Sequence, residues 1–206
     1  MIQRNQSRYL MWGVPVVIVC LIIGSTAAYA AMTMREEKVN LFQIGNLQTK
    51  IDEVFTEPTT ILPNKPIEKK VTITNSGTVN QFVRVMLHPE VRIESKGATQ
   101  LLPSKIGNEI LLDLNSANWK LGEDGYYYYL NVLKPGKSNA TENLFTQVKL
   151  KSGLGQEYQQ AVFSLLIKVE AINCGKYAYR DAWWQGTVPT SGALGIIDRQ
   201  LVGKTI

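Results

Sequence analysis

Val71-Thr72-Ile73-Thr74-Asn75-Ser76-Gly77, followed closely by Val83-Arg84-Val85-Met86-Leu87-His88, decides the fold. Val71 and Ile73 alternate with Thr72 and Thr74, and Val83, Val85 and Leu87 alternate with Arg84, Met86 and His88. A period of two puts one set of side chains on each face, the pattern of a half-buried strand. Asn75-Ser76-Gly77 between the two runs is a turn signal. The alternation returns in Phe163-Ser164-Leu165-Leu166-Ile167-Lys168-Val169-Glu170. Glu123-Asp124-Gly125, Lys134-Pro135-Gly136 and Ser152-Gly153-Leu154-Gly155 supply further turns. Short strands divided by such turns predict an all-β chain, an antiparallel sandwich or barrel. Strands are also predicted at 41–47 and 50–55, with Pro58, Pro63 and Pro66 in an irregular crossing after them. Helix is predicted only late, at 176–184 and briefly at 193–202.

The N-terminus has a different character. Arg4 and Arg8 give a basic start, residues 9–34 carry no charge, and residues 10–23 are almost wholly apolar. Gly24-Ser25-Thr26-Ala27-Ala28-Tyr29-Ala30-Ala31 is built largely of small residues. Basic start, apolar middle and A-x-A ending predict a secretory signal helix over 1–30. Ala28 and Ala30 fit the shallow pockets of a signal peptidase, which places the cut between Ala30 and Ala31. An uncleaved anchor is the alternative, since about 20 apolar residues suffice to cross a bilayer. Val19 before Cys20 is too bulky for a lipoprotein signal.

Removal of 30 residues from 206 leaves 176, enough for one domain with a sizeable core. Arg4 and Arg8 leave with the signal, so Lys plus Arg falls from 22 to 20 against 17 acidic residues, a net charge of +3. These charges are scattered, and no Lys/Arg tract is interleaved with aromatics, which argues against nucleic-acid binding. Cys174 alone survives processing, so no internal disulfide is expected. It reads as a small buried apolar residue.

Immediately after the expected cut stands Ala31-Met32-Thr33-Met34-Arg35-Glu36-Glu37-Lys38. Met32 and Met34 share one side of a would-be strand, and the second half is charged. Such a leader cannot form a core by itself. It frays, lies on its own domain or adds to the sheet edge of a neighbour. The rest of the chain, 39–206, is read as the β-domain.

No enzyme is predicted. The single histidine, His88, precedes Pro89 on an apparent strand, and neither the H-E-x-x-H pattern nor a Cys/His cluster is present. The sequence contains no G-x-S-x-G elbow, Walker-type loop or dinucleotide fingerprint. Asp113, Glu123 and Asp124 read as solvated loop acids in turn-rich surroundings. No metal and no cofactor are expected. Tyr126-Tyr127-Tyr128-Tyr129 is the most unusual local feature. On a strand two rings face the core and two face out; the outward pair covers an edge or stacks on a partner or a sugar. Val188-Pro189-Thr190-Ser191-Gly192 only faintly matches a sorting signal, and no apolar span with a basic tail follows it.

Several of these stretches together carry a resemblance. The signal ending at Ala30, followed by Asn40-Leu41-Phe42-Gln43-Ile44-Gly45-Asn46-Leu47, resembles the start of the SipW-dependent biofilm matrix proteins of Gram-positive bacteria. That family takes in TasA/camelysin-like and BsaA-like exported proteins. Val71-Thr72-Ile73-Thr74-Asn75-Ser76-Gly77-Thr78, running on to Phe82-Val83-Arg84-Val85, is similar to its strand–turn–strand unit. Asp124-Gly125-Tyr126-Tyr127-Tyr128-Tyr129, then Val132-Leu133-Lys134-Pro135-Gly136 and Asn143-Leu144-Phe145, resembles the BsaA-like branch. So does Val169-Glu170-Ala171-Ile172 with Asp181-Ala182-Trp183 after it.

The resemblance implies a jelly-roll-like β-sandwich, export with cleavage by a SipW-type signal peptidase, and polymerisation into extracellular matrix fibres. It implies that the freed segment 31–38 completes the sheet of the next subunit, so the partner is a second copy, with other matrix proteins as further partners. The membrane is a partner only before signal cleavage. Camelysin-like relatives imply a metalloprotease as the alternative, which would have to hold zinc through His88 and scattered acids. A monomeric carbohydrate-binding sandwich using Tyr126, Tyr127, Tyr128 and Tyr129 is the other alternative.

Overall fold

The computed structural model describes residues 47–55, 64–95 and 97–206. The expected signal with Ala28, Ala30 and Ala31, the segment 31–38, nearly all of the strand expected at 41–47, and Pro58 and Pro63 lie outside these residues.

Among the described residues nine strands form two antiparallel sheets. In chain order they are β1 Thr49–Phe55, β2 Ile67–Asn75, β3 Gln81–Ser95, β4 Ala98–Leu102, β5 Ile110–Leu112, β6 Trp119–Leu121, β7 Tyr127–Tyr129, β8 Gln147–Leu150 and β9 Val162–Asn173. Helices α1 Ala178–Trp184 and α2 Gly192–Val202 follow, close to the expected places. The first sheet runs β1-β2-β8-β5. In the second, the fifteen-residue β3 is the spine. One of its edges pairs with β9 from Gln81 to Arg92. Its other edge is shared by β7 at Arg84 and Val85 and by β4 from Val91 to Ser95.

That sharing explains a proline in the middle of a strand. The Pro89 carbonyl accepts from Ser104 Oγ (3.0 Å), just past β4. A residue's N and C=O point the same way in a strand, so the missing N–H faces the stretch between β7 and β4. No ladder bond is lost there. The turn after β2 closes through Asn75, whose Oδ1 accepts from the Gly77 N–H (2.9 Å).

The alternation read from the sequence builds the core between the sheets. Val71 and Ile73 of β2 face Val83, Val85 and Leu87 of β3, with Tyr127, Tyr129 and Ile167 beside them. A neighbouring cluster of Val91, Leu102, Ile110, Val148, Leu150 and Tyr158 continues it. The opposite face of the second sheet is covered by α1 and α2, through Phe82, Tyr126, Tyr128, Cys174, Tyr179, Trp184, Ile197 and Leu201. Leu194, Ile197 and Leu201 form the stripe of α2 that makes this contact. The order is therefore sheet, sheet, helices. α1 ends where Gln185 adopts a left-handed φ of 54° and the Gly186 N–H returns to the Arg180 carbonyl (3.0 Å). α2 begins where the Ala193 and Leu194 N–H groups donate to the Glu123 carboxylate at 2.5 and 2.9 Å.

Candidate functional site

The tyrosine run corrects the expectation of an exposed pair. All four rings are buried, at 8, 6, 0 and 5% exposure for Tyr126 to Tyr129. The alternation itself holds: Tyr127 and Tyr129 enter the core between the sheets, and Tyr126 and Tyr128 point the other way. The physical reason for the difference is the helical layer, which roofs the face where the second pair emerges. Tyr128 packs against Trp183 and Trp184 at centroid distances of 5.6 and 5.9 Å.

The hydroxyls of the outward pair are committed to an ion network centred on Arg84. Arg84 donates to Glu170 through Nε and Nη2 (2.9 and 2.7 Å) and to Asp124 through Nη1 (3.1 Å). Tyr128 donates to Asp124 (2.5 Å) and accepts from Arg84 and Trp184, both at 2.9 Å. Tyr126 donates to Glu170 (2.8 Å) and accepts from Lys168 (3.2 Å), with its ring 3.9 Å under the guanidinium. Burial alone would raise the Glu170 pKa. Hydrogen bonds from Lys168, Arg84 and Tyr126 outweigh it and hold the carboxyl down at about 2. Burial, helped by the bond to Asp124, drives the Tyr128 pKa up. Tyr129, donating to Glu142, is pushed up to about 12, chiefly by burial. The Tyr128 and Tyr129 hydroxyls are thus held neutral and the Glu170 carboxylate charged, and none of the four rings of the run is exposed.

The other candidates are dispersed. His88 is exposed on β3. Among the described residues no group of three or more His, Cys, Asp or Glu side chains is placed to hold a metal ion. Asp113, Glu123 and Asp124 do lie outside the strands, but each carries structure. Asp113 accepts from the Thr146 and Gln147 N–H groups (2.8 and 2.6 Å), Glu123 caps α2, and Asp124 serves Arg84. Cys174 is buried, and burial pushes its thiol up to about 12.

What distinguishes the molecule is one sheet edge. A free edge offers unpaired N–H and C=O groups, and proteins normally blunt such edges by shortness or charge. β5 and β6 span three residues each and β4 five. β1 carries Lys50, Asp52 and Glu53, tied into ion pairs. β9 has neither protection along its first half. It is twelve residues long, and among the described residues its only strand partner is β3. Leu166 is 68% exposed on its outer face, with Val162 at 51%. On its inner face Leu165, Val169 and Ala171 touch the core but remain only half-buried, as does Ile51 of β1. The closest Cα atoms of β1 and β9 come within 8 Å, so these half-buried residues form an apolar margin where the edges of the two sheets approach each other. Sequence reading found the β9 strand but missed that it is an edge. The outward Leu166 between Ser164 and Lys168 was the available signal.

No protein-family model, curated protein or solved structure matches the chain. Among the described residues no helix is long and apolar enough to cross a membrane.

Proposed function

We propose that this chain is a secreted, non-enzymatic structural subunit that self-assembles into extracellular fibres of a Gram-positive biofilm matrix. In this reading a SipW-type signal peptidase cuts after Ala30. The freed segment 31–38 then adds to the sheet of the next subunit, and the domain is a jelly-roll-like sandwich. The observation that carries the proposal is the twelve-residue β9, whose first half is apolar and whose outer edge has no strand partner among the described residues, beside half-buried apolar residues at the margin between the sheets. An added strand satisfies such an edge with main-chain hydrogen bonds, each a net gain of about 1 kcal/mol. Donor and acceptor are different surfaces of the subunit, so the contact repeats head to tail without closing and yields filaments.

Two chains test it, one beginning at Ala31 and one at Val39, compared by electron microscopy and size-exclusion chromatography. Filaments from the first and monomers from the second are expected. Monomers from both under every condition tried would overturn the fibre reading. Filaments from both would remove the N-terminal donor.

A further inference from the structure

We infer that the outer edge of β9 receives residues 31–38 of a second copy in parallel orientation, with Arg35 beside Glu170. The inference rests on the fibre reading above and adds the acceptor edge, the direction and the register. It comes from matching two gradients. From Val162 to Ile167 β9 is apolar except for Ser164, and from Lys168 onward polar Lys168, Glu170 and Asn173 are interspersed with Val169, Ala171 and Ile172. The leader likewise begins Ala31-Met32-Thr33-Met34 and ends Arg35-Glu36-Glu37-Lys38. Only a parallel alignment lays apolar half on apolar half. An antiparallel strand that sets Met32 and Met34 beside Val169 and Ile167 would put the charged half against Leu166 and Leu165.

The faces then agree residue by residue. Ile167 and Val169 point to the inner, core-facing side, and Lys168 and Glu170 point to the outer face. With Arg35 beside Glu170, Met34 falls beside Val169 and Met32 beside Ile167, both on the inner side. Thr33 lies beside Lys168 and Ala31 beside Leu166, so the exposed leucine gains an apolar neighbour. Glu36 and Lys38 share the inner side at its last two places, beside Ala171 and Asn173, where their charges offset each other. That end of the inner side is polar. Asn173 pairs with Gln81, whose Oε1 is a buried side-chain acceptor with no hydrogen-bond partner among the described residues. Lys38 is the one donor on the inner side of the leader, and this register brings it to that end.

Engineered cysteines in the mature chain beginning at Ala31 read the register directly, because native Cys174 is buried. Neighbouring strands lie about 4.8 Å apart, within reach of a disulfide. Thr33→Cys with Lys168→Cys, and Glu37→Cys with Ile172→Cys, report the parallel register. Thr33→Cys with Ile172→Cys, and Glu37→Cys with Lys168→Cys, report the antiparallel alternative that also sets Arg35 beside Glu170. Filaments are oxidised and run on non-reducing gels. A covalent ladder from the first two combinations and none from the last two is expected. The reverse result overturns the orientation. Filaments that ladder with neither set overturn the placement of Arg35 beside Glu170 while leaving the fibre reading intact. An unsubstituted chain that never polymerises overturns the fibre reading itself.

Discussion

Replacing Glu170 by glutamine tests the ion network that joins β9 to the spine strand. The carboxylate accepts from Arg84, Lys168 and Tyr126, and these bonds hold its pKa near 2 instead of the ordinary 4.5. At about 1.4 kcal/mol for each pH unit, that difference sets a ceiling of about 3 kcal/mol. The Glu170 side chain is 26% exposed, and Arg84 retains Asp124, so about 2 kcal/mol is the expected loss at pH 7. That corresponds to a melting temperature lower by roughly 4–8 °C for a domain of this size. The sign with pH follows from a carboxyl depressed on folding. Its stabilisation is fully present above the unfolded pKa of about 4.5 and disappears as pH falls towards about 2. Urea unfolding of both proteins from pH 7 down to pH 2.5 should therefore show curves that converge on acidification. A variant within 0.5 kcal/mol of the parent at pH 7, or a gap that stays constant with pH, would refute the reasoning.

Leu166→Lys should leave stability within about 0.5 kcal/mol, as for most exposed sites, yet suppress filament growth followed by light scattering. Tyr128→Phe leaves the Trp184 Nε1–H without its acceptor and removes one hydrogen bond each from Arg84 and Asp124, which keep each other, and should cost about 1–3 kcal/mol by thermal unfolding in near-ultraviolet circular dichroism. Glu123→Gln should speed amide exchange at Ala193 and Leu194 without altering exchange in β3. The Glu123 carboxyl is held below its usual range by those two N–H groups, so in the parent the protection of the same two amides should fall only once the pH drops below that range.

Local periodicity made the strands legible. Val71 to Thr74 and Val83 to His88 stand where the alternation put them, and both late helices formed near their predicted places. What stayed hidden depended on partners distant in sequence. Arg84 sits at a position of the alternation that reads as solvent-facing, but Glu170, eighty-six residues away, and the roof of α1 bury it. Tyr126 and Tyr128 were read outward for the same reason. Their cover comes from residues beyond 178, and no window around the run contains it. Asp124 and Glu123 read as solvated turn acids because the groups they bind, Arg84 and the start of α2, are not their neighbours in the chain. Leu166 alone hinted that β9 has one strand partner among the described residues, because strand order in a sheet is not a local property.

The helical roof also sets a timetable for folding. Synthesis proceeds from the N-terminus at about 5–20 residues per second. Phe82, Tyr126 and Tyr128 therefore exist for several seconds before Tyr179, Trp184, Ile197 and Leu201 are made. Throughout that interval the growing chain carries an aromatic surface whose helical cover has not yet been made. The last stretch of polypeptide thus converts a sticky, incomplete intermediate into a finished domain. A chain terminated anywhere before residue 178 lacks that cover, and its exposed aromatic surface makes it prone to aggregation.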